Sequence, residues 1–140
     1  MISERIVSNS ARMGFLPRMF TPKYFTQGES LVYTLAKYYC EEYDGGYWEY
    51  KTLSNGGFLM TLDDREKRVK VINPDNYYEG MMSPDALSIG ICIIALNRLM
   101  WAAAEQGAMR LGKELQDHWD WLKDYAYEHP ERVEIARFID

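Results

Sequence analysis

The sequence predicts an α+β fold: a small three-stranded antiparallel sheet, a meander, packed with about four helices in a single domain spanning residues 1–140. Two observations carry this. A strand, a tight turn and a second strand are written out between Tyr47 and Leu62, and on either side apolar residues recur at helical spacing, most strongly after Pro84. Length agrees, since 140 residues with 47% apolar content can bury roughly two-thirds of their unfolded surface around one core.

Residues 1–28 read as a partly irregular basic and aromatic arm. Ile6 and Val7 are the only paired apolar anchors of the first dozen residues. Pro17 and Pro22 then remove backbone donors and bias Leu16 and Thr21 toward extended geometry, so an ordered loop is expected up to Gln27. Glu29 to Glu42 forms a helix with Leu31, Leu35, Tyr38 and Tyr39 on its apolar face, and Asp44-Gly45-Gly46 breaks the pattern with Gly45 placed to end it. Tyr47 to Leu53 is aromatic-rich and β-prone. Ser54-Asn55-Gly56-Gly57 follows, in which Asn55-Gly56 supplies positive φ for a two-residue primed turn, or a slightly longer bulged one if Gly57 takes part. Phe58 to Leu62 is the partner strand.

After a charged turn at Asp63-Asp64-Arg65-Glu66, Lys67 to Asn73 alternates charged and apolar residues as a half-buried third strand. A loop through Tyr77, Tyr78 and Gly80 reaches Ser83, a cap for a helix whose first residue is Pro84 and second Asp85. Leu87, Ile91, Ile94 and Leu96, with Ile89 and Ile93 beside them, make this the least polar helix, so it belongs in the middle of the fold. Gly107 separates it from an amphipathic helix over about Met109 to Glu128, and His129-Pro130 precedes a short terminal helix, Glu131 to Phe138.

Charge excludes some function classes. Residues 1–28 hold Arg5, Arg12, Arg18 and Lys23 against Glu4 alone, a net +3, so the rest carries −8 of the chain's overall −5. A DNA mimic needs a dense, nearly uncompensated acidic surface, because a duplex presents one charge per roughly 1.7 Å of axis, and −5 falls far short. Cys40 and Cys92 lack CxxC spacing and fit a reduced, cytoplasmic setting. No secretory signal is read at Met1 to Arg5. The apolar run Ala86 to Leu96, broken by Ser88 and Gly90, is shorter than the about 20 residues of a membrane span. No metal, cofactor or catalytic site is expected: His118 and His129 lack ligand spacing with the cysteines, no nucleophile pairs with the Glu114–His118 turn, and phosphate-binding glycine patterns are missing from the sequence.

What remains is a set of candidate partner contacts. Arg18, with Arg12 and Lys23, interleaves with Phe15, Phe20, Tyr24 and Phe25, a combination that could follow a phosphate backbone while stacking bases. The plainer reading, that the rings anchor the segment and the cations stay solvated, is favoured because a nucleic-acid surface usually comes with a clearly basic domain. Tyr47, Glu49, Lys51 and Leu53 share one strand face and Trp48, Tyr50 and Thr52 the other, so an exposed face would offer an aromatic and charged epitope; the plainer reading packs Trp48 and Tyr50 on the central helix and leaves Glu49 and Lys51 solvated. Asp117, Asp120 and Asp124, with Glu114 and Glu128, recur every three or four residues and form an acidic stripe that could meet a basic partner, tempered by Arg110, Lys113 and Lys123.

The block Asp44 to Phe58, the upstream Phe15-Leu16-Pro17-Arg18, and Tyr77-Tyr78-Glu79-Gly80-Met81-Met82-Ser83 with the apolar helix after it resemble the antirestriction proteins of the ArdB/KlcA family, over most of the chain from about Phe15 onward. The resemblance implies a plasmid- or island-borne cytoplasmic protein, carried on a mobile genetic element, that protects incoming unmodified DNA from type I restriction-modification enzymes without catalysis or cofactor. Its implied partner is the type I restriction enzyme complex or an associated host factor, with no membrane role. A nucleic-acid-binding module using the N-terminal arm is the alternative.

Overall fold

The computed structural model describes residues 1–140 as five strands, four α-helices and one 3-10 turn. In chain order these are β1 (Glu4–Ile6), the 3-10 turn (Asn9–Gly14), α1 (Phe15–Tyr39), β2 (Glu49–Leu53), β3 (Phe58–Thr61), β4 (Val69–Asn73), β5 (Tyr78–Met82), α2 (Pro84–Glu105), α3 (Met109–Glu128) and α4 (Arg132–Ile139). The α+β class and the helix number agree with the sequence. The single meander is corrected to two antiparallel sheets, β1-β2-β3 and β4-β5. Arg5 lies opposite Thr52 and Tyr50 opposite Met60, whereas Val71 pairs with Gly80 of a strand where the sequence predicts a loop.

The central position expected for the least polar helix is observed, with α2 packing against α1, α3, α4 and β3. Its start is written locally: Pro84 takes the first position, and the Ser83 hydroxyl accepts the Ala86 N–H at 3.1 Å. At 22 residues and mean hydropathy 1.7 the helix is long and apolar enough to cross a membrane, yet two-thirds of its most apolar stretch is buried inside the fold. Gly90 lets α4 approach closely, because a Cβ there would sit 2.6 Å from the Phe138 ring.

The N-terminal third differs most from expectation. Where a partly irregular arm was expected, the chain forms β1, the 3-10 turn and the first part of α1. Pro17 is tolerated because it falls in the first helical turn, where backbone N–H groups have no intrahelical acceptor. Pro22 is accommodated by a kink. Thr21 before it adopts φ 71° and ψ 153°, a region nearly reserved for glycine, and its buried hydroxyl has no hydrogen-bond partner. The kink presses the Phe20 ring onto Gly28, where a Cβ would lie 2.6 Å from it.

Two boundaries also move. The helix expected to reach Glu42 ends at Tyr39, so Gly45 (φ 104°) and Gly46 (φ 136°) shape the following loop instead of terminating the helix. At the β2–β3 turn only Gly56 has positive φ, and Leu53 exchanges hydrogen bonds with Gly56 and Gly57, so the bulged three-residue form is observed in place of the two-residue primed turn. Asn55 does more than turn the chain. Its amide accepts the Gly57 N–H at 3.1 Å and donates to the Trp121 carbonyl at 2.9 Å, fastening the hairpin tip to α3.

Candidate partner-binding face

One side of the β1-β2-β3 sheet carries a continuous row of rings and cations. Tyr50 of β2 stacks on Phe15 at the start of α1, with centroids 4.4 Å apart and planes within 9°. Phe15 meets Phe58 of β3 at 5.3 Å, Phe58 meets the edge of His118 on α3 at 5.1 Å, and His118 meets Trp121 at 5.4 Å. Two guanidinium groups lie on this row. That of Arg12 sits 4.0 Å from the Tyr50 centroid and 4.9 Å from that of Tyr47, and it donates to the Trp48 carbonyl at 3.2 Å. That of Arg18 sits 5.1 Å from the Phe58 centroid. Each contact of this kind contributes about 0.5 to 1 kcal/mol at exposed sites and, more usefully, fixes where the cation stands.

Burial pushes the His118 imidazole below its ordinary pKa, while Asp117, Glu114 and the Arg18 carbonyl pull the other way. Its Nδ1 is buried without a partner.

The row assembles some of the sequence-derived candidates and leaves others apart. Arg18 is exposed on it, and Tyr47 stands at its other end, 64% exposed. Asp117 borders it beside His118 and pairs with Lys113 at 2.8 Å. Asp120 and Asp124 are exposed further along α3. Glu49 is half-buried on the face of β2 opposite Tyr50. Lys51 is corrected outright: it is only 2% exposed and cannot belong to an exposed epitope. Both faces of β2 are largely covered, because Trp48 and Tyr50 pack toward α1 through Tyr33 and Phe15 while Lys51 and Leu53 are buried on the other side. The plainer reading of the arm holds for the rings, since Phe15, Phe20 and Tyr24 are all buried. Phe25 packs partly buried against the same core. Arg12 and His118 complete the row. The spacing of Arg12, Phe15 and Arg18 was visible as a clue, whereas their meeting with Phe58 and His118 is a tertiary event.

Lys51 belongs to a second cluster on the opposite side. It pairs with Glu4 at 2.9 Å and Asp63 at 3.1 Å, and Glu4 also bonds Arg65 and the Tyr125 hydroxyl. Arg65 reaches Asp85, which is fully buried and also accepts from Thr61 at 2.7 Å and His129 at 2.9 Å. His129 Nδ1 accepts the Glu131 N–H at 3.0 Å, which leaves Nε2 as the nitrogen that donates to Asp85. The His129 ring thus turns to the start of α2. Burial alone would raise the pKa of Asp85, but the His129 and Thr61 hydrogen bonds and Arg65 outweigh it and hold the carboxyl below its ordinary value. Glu4 is lowered in the same way: Tyr125, Lys51 and Arg65 overcome its burial.

Fold and face together define a small mixed α+β protein whose distinctive exposed chemistry is arginine on aromatic rings. Residues 41–140 match the model of the antirestriction protein family. The chain is 37% identical over 139 residues to antirestriction protein KlcA of Escherichia coli, covering 99% of this chain and 95% of that relative. It is 31% identical to the uncharacterized protein YfjX of Escherichia coli strain K12, covering 96% and 85%. A solved structure from work on the KlcA and ArdB proteins matches with a TM-score of 0.86 at 35% identity, covering 99% of this chain and 95% of that one. Those proteins are described as having a novel fold and antirestriction activity against type I DNA restriction systems in vivo but not in vitro. The chain belongs to the antirestriction protein family, as the resemblance implied.

Proposed function

We propose that this protein, acting in the cytoplasm as a single antirestriction-type domain, protects incoming unmodified DNA from type I restriction-modification enzymes. It does so without catalysis and without imitating DNA, through contact of the arginine and aromatic face with the restriction complex or an associated host factor. The observation that carries this reading is the full-length structural match to the KlcA and ArdB work. Activity of those relatives in cells but not with isolated components favours a route through a further cellular factor. Against DNA mimicry stands the modest net charge of −5, with acidic side chains such as Asp117 already paired to lysine. Against the alternative of base stacking by the N-terminal segment stands the burial of Phe15, Phe20 and Tyr24.

The test is a plating assay with unmodified phage on hosts that have or lack a type I system. Expression is expected to raise phage survival only in the restricting host. Equal plating with and without the protein there would refute the reading.

A further inference from the structure

Arg12 and Arg18 stand in a different electrostatic setting from the cations of the opposite cluster. Lys51 and Arg65 each touch two carboxylates. Arg12 and Arg18 have no carboxylate partner; rings hold them instead. A ring occupies the flat face of a guanidinium and leaves its N–H edge accessible; Arg12 spends one N–H on the Trp48 carbonyl, and the remaining donors of both arginines can meet a carboxylate. Stacking also restricts the side chain in advance, which lowers the ordering cost of binding. Such a pair is a preorganised anion receptor whose anion is not supplied by the chain itself.

We propose that Arg12 and Arg18, with the exposed ring of Tyr47 beside Arg12, receive a carboxylate-rich segment of a partner protein. This rests on the reading that the face makes the partner contact, and it names the chemistry of that contact. Protein carboxylates suit the site better than duplex phosphates for two reasons. Asp117 and Glu114 act on His118 within the row and Glu29 acts on Tyr50, so negative charge already borders it. A few spaced carboxylates can avoid these groups, whereas a duplex brings a charge about every 1.7 Å. Tyr47 is also the sole well-exposed ring of the row, and a single ring offers bases little to stack on.

The experiment measures anisotropy of a labelled glutamate-rich peptide, with its glutamine counterpart and a short DNA duplex as controls, at one fixed salt concentration. Wild type is expected to bind the glutamate peptide and not the glutamine one. Arg12→Lys keeps the charge but loses the planar fork, so binding should weaken roughly tenfold with an unchanged melting temperature; Arg18→Ala should weaken it similarly, and Arg132→Ala on α4 should not. Failure of wild type to bind the peptide, wild-type affinity in Arg12→Lys, or tighter binding of the duplex would overturn the proposal. Plating separates this inference from the function on which it rests. Full protection by the folded Arg12→Ala/Arg18→Ala double variant would sink the receptor alone, whereas peptide binding without protection by wild type would sink the antirestriction reading and leave the receptor standing.

Discussion

The two sides of the β1-β2-β3 sheet treat positive charge in opposite ways. On one side the buried Lys51 and the partly exposed Arg65 are bound to the carboxylates of Glu4, Asp63 and Asp85, and the cluster joins β1, β2, β3, α2, α3 and the residues after α3. On the other, Arg12 and Arg18 lie on rings with their donors largely unspent. The contrast separates charge paired with carboxylates inside the fold from charge that no carboxylate of the chain neutralises. A buried cation needs its counter-ion to repay desolvation, while a stacked one remains partly hydrated and available.

The comparison breaks most sharply at Asp85. Asp85→Ala would leave the buried His129 Nε2 and Thr61 hydroxyl without their partner and remove one of the two carboxylates on Arg65, with an expected loss of about 3 kcal/mol measured by urea unfolding. A loss below 1 kcal/mol would mean that the cluster is not what closes the fold. Acid probes the same groups. Asp85 and Glu4 have folded pKa values below their ordinary 3.8 and 4.5, so their stabilisation is complete above about pH 5 and is lost as pH falls through the folded values. Urea midpoints taken from pH 6 downward should therefore fall in wild type and fall less steeply in Asp85→Ala.

A second, smaller effect is expected at Lys51. Lys51→Met leaves Asp63 unpaired and Glu4 with only Arg65 and Tyr125, but both carboxylates are about one-third exposed and can rehydrate, so a cost of about 1 to 3 kcal/mol is expected. Calorimetry that gave an unchanged melting temperature would show this buried pair to be dispensable.

Gly56→Val places a β-branched residue at φ 102° and should cost about 1 to 3 kcal/mol, loosening the register of β2 and β3 and lowering antirestriction activity through the fold. An unchanged melting temperature with activity lost would make the turn a contact site.

The smallest effects belong to the row. Arg12→Ala or Arg18→Ala should each change stability by no more than about 1 kcal/mol. A larger loss in thermal melts would make these arginines structural and erase the contrast.

Legibility followed how local each determinant was. The cap of α2, the bounds of α3 and the β2–β3 hairpin were readable because Ser83-Pro84, the apolar spacing of Leu111, Leu115 and Leu122, and Asn55-Gly56 act within a few residues of themselves. The start of α1 was hidden by Pro17 and Pro22, whose effect depends on whether they fall in a first turn or at a kink. Strand β5 was hidden because Tyr78 to Met82 contains a glycine and alternates poorly, so β4 sets its identity. The row of rings and arginines was half legible: the arm's cations and rings were visible, but Phe58 and His118 join them only through tertiary packing. The ionic cluster gave no local signal, since Asp85 and His129 lie 44 positions apart.

The Glu4–Tyr125 bond spans 121 positions, and that separation reaches back to the ribosome. At ordinary synthesis speeds the first strand emerges on the order of ten seconds before the hydroxyl it needs. During that interval the nascent chain carries β1 without its latch, within reach of chaperones and proteases. The last helices are thus the step that latches the first strand and completes the fold.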